Sequence, residues 1–262
     1  LARLRDVRRG GGYRGLLAAF SRSEAVDLAR ETTTRHWQRP FSWHRLPLLV
    51  MQPLELDLPR PPDPRLRHIG HLAGAQRDAT AMRGGNSHGQ DGKRLAYVAF
   101  GSMVPAPQSL VEKLWQVARR FEDWNFVQAL GGMPRNVLPS EPPDNVELVD
   151  WAPQRELLRR ADVAIIHAGA NSLVECVEAE CPALCIPLGH DQEGNAARAV
   201  YHGVGRVARH DDSAGSIIQS LLRLADDPGY RARCASIRKK MERYGWDGVA
   251  EREVERLLPE PV

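Results

Sequence analysis

From Arg94 onward the sequence alternates short apolar runs with amphipathic segments, and this alternation constrains the fold more than any other feature. Strands that alternate with helices indicate a parallel sheet. The predicted strands are Leu95–Phe100, Phe126–Leu130, Val146–Trp151, Val163–His167 and Ala183–Pro187. The predicted helices are Gln108–Phe121, Glu156–Arg160, Ser172–Ala179, Glu193–His202, Ser213–Ala225, Tyr230–Tyr244 and Gly248–Leu258. The pattern of residues 95 to 225 therefore predicts a doubly wound α/β domain. Domains of this kind bind their ligands at the carboxyl ends of the strands.

The first 94 residues show a different pattern. Apolar positions at helical spacing from Arg14 to Trp37 predict one or two helices. The run Leu46–Met51 predicts a strand, and the prolines between Pro53 and Pro64 exclude regular structure until Arg67. Residues 73–94 are rich in Gly, Asn, Ser, Gln and charged residues, which predicts a flexible linker and a domain boundary there.

Composition excludes several classes of protein. With 262 residues, 42% hydrophobic and 26% charged, the chain is typical of a soluble globular protein. No apolar run reaches the roughly 18 residues of a membrane span, and no signal-peptide pattern opens the sequence, so the expected location is cytoplasmic. The arginines are scattered and lack interleaved aromatic residues, which argues against a nucleic-acid partner. The four cysteines lack metal-ligand spacing and are predicted to be buried free thiols.

Three predicted strand ends carry small or polar residues, as a ligand site requires. They are Phe100-Gly101-Ser102, the run from His167 to Ser172, and the run from Leu188 to Gln192. The second run joins an apolar strand directly to a helix, where free backbone N–H groups and the helix dipole suit a phosphate. Gly169 allows close backbone approach, and side-chain donors follow from His167, Asn171 and Ser172.

Each of these elements also has a purely structural interpretation. Ser172 and Glu175 fit the S-x-x-E capping box that many helices use without any ligand. His167 alone fits a core histidine, Gly101-Ser102 alone fits an ordinary strand-to-helix turn, and His190 fits solvent-facing structure. Only their coincidence in order and spacing, with Trp151-Ala152-Pro153-Gln154 upstream and Asp191-Gln192 downstream, indicates a function.

That array resembles the signature of the UDP-glycosyltransferase superfamily over residues 95 to about 258. The superfamily motifs F-G-S, W-A-P-Q, H-x-G-x-N-S-x-x-E and P-x-x-x-D-Q-x-x-N-A correspond to Phe100–Ser102, Trp151–Gln154, His167–Glu175 and Pro187–Ala196. Within the superfamily the sequence is most similar to bacterial macrolide and zeaxanthin glucosyltransferases, because plant enzymes usually have tryptophan at the position of Ala170. The resemblance implies a GT-B type α/β fold with a doubly wound C-terminal domain at 95–262, the linker at 73–94 and a partial N-terminal domain at 1–72.

The resemblance also implies a role for each residue that matches a motif. Trp151 stacks on the uracil ring, the backbone of Ala152 binds the base, Gln154 lies near the ribose, and Glu175 binds the ribose hydroxyls. The residues that it assigns to the diphosphate are Ser102, His167, Gly169, Asn171 and Ser172. Asp191 and Gln192 bind the sugar, and this pair usually accompanies a glucose-type donor.

The catalytic base stays unassigned. In the superfamily it is a histidine in the first loop of the N-terminal domain, and no residue of this sequence matches that motif. The histidines that lie in a different context are His36, His44, His68, His71 and His88. The implied reaction uses no metal and no cofactor beyond the UDP-sugar, and an Asp-x-Asp metal motif is absent near the site.

The expected partners are a UDP-sugar donor and an apolar alcohol such as a macrolide, a polyketide or a carotenoid. An apolar acceptor is compatible with weak membrane association. Three alternatives stay open at this point. One is a non-catalytic or truncated UDP-sugar-binding module, and another is an epimerase or lipid-linked-sugar transferase of the same architecture. The third, an oxidoreductase, lacks support because no G-x-G-x-x-G follows a strand.

Overall fold

The structure is a computed structural model that describes residues 47–70, 92–101, 106–139, 141–242, 252–253 and 255–256, with strand backbone at 32–33 and 42–43. The chain divides into two compact units. The first comprises Leu1–Val50 and Arg60–His68, and the second comprises Met51–Pro59 and Ile69–Val262. Among the described residues no helix is long and apolar enough to cross a membrane.

The first unit contains two small sheets within its described residues. Strand β1 (Thr32–Thr33) pairs antiparallel with β2 (Ser42–Trp43). Strand β3 (Leu48–Val50) pairs in parallel with β4 (Leu66–His68). The turn before β4 is closed by Asp63, whose carboxylate accepts hydrogen bonds from the backbone and the guanidinium of Arg65.

The second unit is built on a parallel sheet of six strands. They are β5 (Arg94–Ala99), β6 (Trp124–Ala129), β7 (Val146–Val149), β8 (Val163–Ile166), β9 (Ala183–Cys185) and β10 (Gly205–Val207). Their order across the sheet is β10-β9-β8-β5-β6-β7, and every neighbouring pair is parallel. The chain winds outward from β5 to β7, returns beside β5 as β8, and winds outward again to β10. The doubly wound sheet predicted from the sequence is confirmed.

Helices cover both faces of this sheet. They are α1 (Gln108–Ala118), α2 (Gln154–Arg160), α3 (Ala170–Glu178), α4 (Gln192–Tyr201), α5 (Ala214–Asp226) and α6 (Pro228–Met241). Successive side chains of a strand point to opposite faces, so β5 feeds two cores. Leu95 and Tyr97 belong to the core shared with α2, α3, α4 and α6. Ala96 and Val98 belong to the core shared with α1 and α5. All four cysteines are buried and free, as predicted.

The segment Met51–Pro59 is part of the second unit. It contains a 3-10 turn, Leu54–Leu56, and the fully buried Leu56 belongs to the same core as residues of α6. Asp57 lies 3.2 Å from Nη2 of Arg198 on α4, and its carbonyl lies 3.0 Å from Nε2 of His202. The segment is therefore attached to α4 and α6 by both apolar burial and polar contacts.

Several predicted element limits are wrong. The absence of regular structure between Pro53 and Arg67 is contradicted by the 3-10 turn and by β4. Thr32–Thr33 form a strand within the predicted helical stretch 14–37, in keeping with the β-propensity of threonine. Strand β10 was not predicted, because Gly-Arg-Val is too short and polar to produce an apolar period.

Some predictions fall on residues outside the described ranges. These include most of the helical stretch 14–37, most of the helix at 248–258 and most of the linker at 73–94, whose last residue, Arg94, begins β5. The domain limits 1–72, 73–94 and 95–262 stay a prediction.

Candidate functional site

The sequence-predicted site lies at the point where the winding of the sheet reverses. Strands β5 and β8 are neighbours, but the chain leaves their carboxyl ends toward opposite sides of the sheet, which opens a crevice between the two connections. Gly101 follows β5 and His167 follows β8, so the first and second predicted strand ends meet here. Ser102 lies outside the described residues.

The imidazole of His167 occupies a space formed by two glycines. A Cβ atom placed on Gly101 would lie 3.0 Å from both Cε1 and Nε2 of His167, and one placed on Gly169 would lie 2.6 Å from Nε2. Real Cβ atoms do not approach side chains to 2.6 Å, so a larger residue at 169 would displace the ring. Gly101 also has φ of 75°, which glycine adopts without steric cost. Both glycines are thus required by the position of His167.

The environment of His167 favours its neutral form. Burial lowers the pKa of this histidine, while the backbone of Ala99 and the carboxylate of Asp191 oppose the shift. A neutral imidazole has one N–H donor. Nδ1 is buried and makes no hydrogen bond of regular geometry among the residues that the structure describes, although the Ala99 backbone lies close enough to the ring to raise its pKa. The site can therefore offer an imidazole N–H, rather than a full positive charge, to an incoming anion.

Helix α3 begins without a side-chain cap. Its first residue is Ala170, and Gly169 is the N-cap residue without a capping side chain. The capping-box alternative is therefore excluded, and the predicted helix start at Ser172 is wrong by two residues: Ser172 is the third residue of the helix, and Glu175 contacts α2. Ala168 has φ of 62°, and this left-handed residue turns the chain so that the helix begins two residues before Ser172. The first-turn N–H groups have no partner within the helix and suit an anion.

Trp151 lies just beyond the end of β7 and is 69% exposed, which is unusual for the largest apolar side chain. Its loop is tied to the turn after β6. Arg135 lies 2.9 Å from Asp150 and donates to the carbonyl of Leu148 at 3.3 Å. An indole whose face meets water on a supported loop suits the stacking of a flat aromatic ring.

Gln154 connects the tryptophan loop to α3. Its Oε1 accepts from the hydroxyl of Tyr97 at 3.2 Å, and its Nε2 donates to Glu175 and lies 3.5 Å from the hydroxyl of Ser172. Sequence analysis missed Tyr97, although a tyrosine in an otherwise aliphatic buried strand is an available signal. Burial raises the pKa of Tyr97 further above its usual value, so its hydroxyl stays a donor. The structure thus brings Gln154, Ser172 and Glu175 together.

The third strand end is organised by side chains of α4. Gln192 is buried, and its Oε1 accepts from the backbone N–H groups of Leu188 at 2.6 Å and Gly189 at 3.1 Å. Its carbonyl oxygen thus closes the loop, which leaves Nε2 as the group for a ligand. Asp191 is exposed, and Asn195 donates to its carboxylate at 2.8 Å and to the carbonyl of Ala168 at 3.0 Å.

Asn195 is a residue whose role sequence analysis missed. It is 3% exposed and holds the loop after β9 against the turn after β8. The N of the quoted D-Q-x-x-N-A motif was the available signal. The remaining predicted residues lie near these: Asn171 is exposed in the first turn of α3, and the side chain of Ala152 is buried in the core.

Of the histidines set aside by sequence analysis, the structure describes His68. His68 lies in the first unit on β4, with Nε2 3.0 Å from the guanidinium of Arg60. The other four lie outside the described residues: His36, His44, His71 and His88. Within the described ranges, no three His, Cys, Asp or Glu side chains converge as a metal site would require.

Comparison with known proteins gives two relatives of similar sequence. Oleandomycin glycosyltransferase of Streptomyces antibioticus is 27% identical over 259 residues, which cover 97% of this chain and 57% of that protein. Zeaxanthin glucosyltransferase of Pantoea ananas is 29% identical over 114 residues, which cover 44% of this chain and 26% of that protein. The resemblance to macrolide and zeaxanthin glucosyltransferases is thereby confirmed.

A solved structure agrees with the fold. The crystal structure of the glycotransferase of kitacinnamycin superposes with a TM-score of 0.74 at 25% identity, covering 94% of this chain and 62% of that one. The predicted α/β fold of the GT-B type is confirmed. The chain spans less than two thirds of the length of these relatives. The sequence profile described as UDP-glucoronosyl and UDP-glucosyl transferase matches residues 19–238, and the chain belongs to that family.

Proposed function

We propose that this chain carries the donor-binding part of a glycosyltransferase that moves a hexose, glucose in the first instance, from a UDP-sugar to a hydroxyl of an apolar small molecule. One observation carries the proposal. Three elements follow one another along one edge of the sheet. They are the exposed Trp151, the hydrogen-bonded pair Gln154 and Glu175, and the turn that contains His167. That succession corresponds to the base, ribose and diphosphate of a nucleotide.

The site is suited to stabilising a diphosphate leaving group. When the bond between the sugar and UDP breaks, negative charge grows on the β-phosphate. Hydrogen-bond donors already lie at this position, namely the uncapped N–H groups of α3 and the His167 imidazole. The dipole of α3 adds a favourable field for the same negative charge. Because these groups are held by the fold, they need little rearrangement during the reaction. No metal ion has a part in this proposal.

Asp191 and Gln192 are proposed to bind the transferred sugar. A carboxylate accepts hydrogen bonds, and Nε2 of Gln192, which has no partner among the described residues, donates them. The pair therefore matches neighbouring hydroxyls, which can both donate and accept. The geometry gives Gln192 one role toward the sugar and another toward its own loop. This arrangement supports a hexose with adjacent free hydroxyls, as in glucose.

The proposed acceptor is an apolar alcohol. The relatives are described as glycosyltransferases of oleandomycin and zeaxanthin, which supports a macrolide-like, polyketide-like or carotenoid-like acceptor. A general base must remove the proton of the attacking hydroxyl, and such assistance contributes about 10²–10⁴ in rate. No described residue is assigned to this role.

Calorimetric titration of the purified chain tests the donor site. We expect UDP and UDP-glucose to bind, and ADP, the matched control with a purine base, to bind at least about tenfold more weakly. Equal affinity for UDP and ADP, or no binding of either, overturns the proposal. Release of glucose from UDP-glucose, or its transfer to an alcohol, supports the full reaction. Binding without either outcome supports the alternative of a non-catalytic module.

A further inference from the structure

Arg155 lies between two carboxylates of α3. Its Nε is 3.5 Å from Oε1 of Glu175, and its Nη2 is 3.3 Å from Oε2 of Glu178. The side chains of Arg155, Glu175 and Glu178 are 23%, 11% and 16% exposed. One guanidinium therefore serves two largely buried acids that are neighbours on the same face of the helix.

The two acids oppose each other, and Arg155 counteracts that repulsion. The pKa of Glu178 is raised to about 7: burial is the largest cause and the charge of Glu175 also raises it, whereas Arg155 and Arg159 lower it. Charges that are partly removed from water interact more strongly than exposed ones. If the guanidinium were absent, the pKa of Glu178 would rise further and this carboxyl would become neutral. Arg155 is therefore the charge partner of both carboxylates, and its direct contact with Glu175 does not depend on Glu178.

Glu175 is held from both sides by consecutive residues of α2. Its Oε2 accepts from Nε2 of Gln154, while its Oε1 faces the guanidinium of Arg155. An ionised carboxylate has about four acceptor positions, so one hydrogen bond from Gln154 and one ion-pair contact with Arg155 leave at least two. Two remaining positions correspond to the two hydroxyls of a ribose, which is the group assigned to Glu175.

We propose that Arg155 is a positioning residue for the ribose of the donor, because it holds Glu175 in the orientation that accepts both ribose hydroxyls. This inference rests on the proposed function. Glu178 shares the same guanidinium and so limits the charge that Arg155 brings to Glu175. Arg155 itself need not touch the nucleotide. Its effect is therefore expected to appear only with nucleotides that carry the ribose hydroxyls.

The test compares UDP with 2′,3′-dideoxy-UDP by calorimetry. The wild-type chain is expected to bind UDP about tenfold or more tightly than the dideoxy nucleotide, the loss that follows from removing hydrogen bonds to a charged acceptor. In Arg155→Gln we expect this ratio to fall below about threefold, with the affinity for dideoxy-UDP changed less than about twofold. Arg155→Lys keeps the positive charge but loses the planar guanidinium that can contact two carboxylates. Its ratio of UDP to dideoxy-UDP affinity is expected to lie between those of the wild type and Arg155→Gln.

Two further variants separate positioning from folding. Arg160→Gln removes the same charge from the same helix, but Arg160 pairs only with Glu156 at 4.0 Å among the contacts described, so the ratio should keep its wild-type value. The double variant Arg155→Gln with Glu178→Gln also removes the buried acid that has lost its partner, so its melting temperature should return toward that of the wild type. The ratio should stay low, because Glu175 still lacks its contact with Arg155.

The outcomes are distinguishable. If Arg155→Gln weakens both nucleotides equally, or if the double variant regains the wild-type ratio, the positioning role is overturned. A wild-type chain that binds neither nucleotide overturns the proposed function itself. A wild-type chain that binds both nucleotides equally retains a nucleotide site but overturns the ribose role of Glu175 and, with it, that of Arg155.

Discussion

Gly169 and His167 are sterically coupled, since any side chain at position 169 meets Nε2 of the imidazole at 2.6 Å. Relief requires the ring to rotate or the turn before α3 to shift. Either change moves the donor that faces the proposed diphosphate. The contact links one backbone position to one functional side chain and makes the site sensitive to a single methyl group.

Gly169→Ala is therefore expected to weaken UDP binding by about tenfold or more, because the displaced imidazole loses its contact with the anion. Gly215→Ala is the matched control. Gly215 lies in α5, where an added Cβ meets nothing closer than 3.8 Å, so UDP affinity should stay unchanged while stability rises by up to about 1 kcal/mol. Calorimetry and thermal unfolding measure both effects. Unaltered UDP binding in Gly169→Ala would contradict the steric argument.

His167→Ala is expected to abolish transfer and to weaken UDP binding in a protein that stays folded. The effect should depend on pH. Burial lowers the pKa of His167 in the free chain, and a bound diphosphate would raise it, so the complex holds more protons and affinity rises as pH falls. The β-phosphate of UDP also titrates, but it does so equally in His167→Gln.

The measurement is the ratio of wild-type to His167→Gln affinity for UDP between about pH 8 and about pH 6. We expect this ratio to increase as the pH falls. The free energy of unfolding of the free chain should change in the opposite direction and fall as the pH falls below about 6.5. The reason is that His167 takes up a proton more readily in the unfolded chain than in the folded one, where burial lowers its pKa. A ratio that is independent of pH would show that His167 does not change its protonation on binding.

Trp151→Ala is expected to lower UDP affinity by about tenfold to a hundredfold, since stacking between a base and an aromatic ring contributes about 1–3 kcal/mol. The side chain is 69% exposed, so the melting temperature should change little. Trp151→Phe keeps a smaller aromatic face and should recover part of the affinity. Equal affinities for UDP in all three proteins would exclude the stacking role.

Gln192 allows loop closure to be separated from sugar binding. Gln192→Ala leaves the N–H groups of Leu188 and Gly189 without an acceptor and should lower the free energy of unfolding by about 1–2 kcal/mol. Gln192→Glu keeps an acceptor but replaces the Nε2 donor, so it should preserve the loop, leave UDP affinity unchanged and weaken UDP-glucose. Denaturant unfolding and calorimetry give the two readouts. Identical behaviour of both variants would show that Gln192 has a single role.

His190 should be replaceable. It is exposed and has φ of 59°, a left-handed conformation that costs a side chain about 1 kcal/mol or more. His190→Gly is expected to raise the free energy of unfolding by up to about 1 kcal/mol, reduced by the greater freedom of glycine in the unfolded chain. UDP affinity should not change. A loss of UDP-glucose affinity alone would instead assign His190 to the sugar site.

The long apolar periods made the sheet of the second unit predictable. Strands such as Val163–Ile166 are uniformly apolar because helices cover both faces, and that pattern is visible in one dimension. Strand β10 gave no such signal, since its pairing depends on Gly205. A Cβ at that position would lie 2.4 Å from the carbonyl of Ala183, a constraint that exists only after folding.

The motifs identified the residues of the site but not their contacts. Two of these contacts follow from where α4 begins. The side-chain oxygen of Gln192 accepts a hydrogen bond from its own loop, and Asn195 donates to both Ala168 and Asp191. The predicted start of α3 at Ser172 was wrong for a similar reason, because the chain turns at a single left-handed residue, Ala168, and the helix begins two positions earlier. Local conformations of this kind leave no periodic trace in a sequence.

The attachment of Met51–Pro59 bears on how relatives of this chain can be recombined. A chimera joined within residues 73–94 would take Leu56 and Asp57 from one parent and Arg198 and His202 from the other. Leu56 would then pack against a core that comes from the other parent. Asp57 would also lose its ion pair with Arg198 whenever the second parent has a different residue at that position. A crossover placed before Met51 takes Leu56 and the core around it from the same parent. The suitable crossover point is therefore set by contacts in the folded chain and not by the glycine-rich stretch.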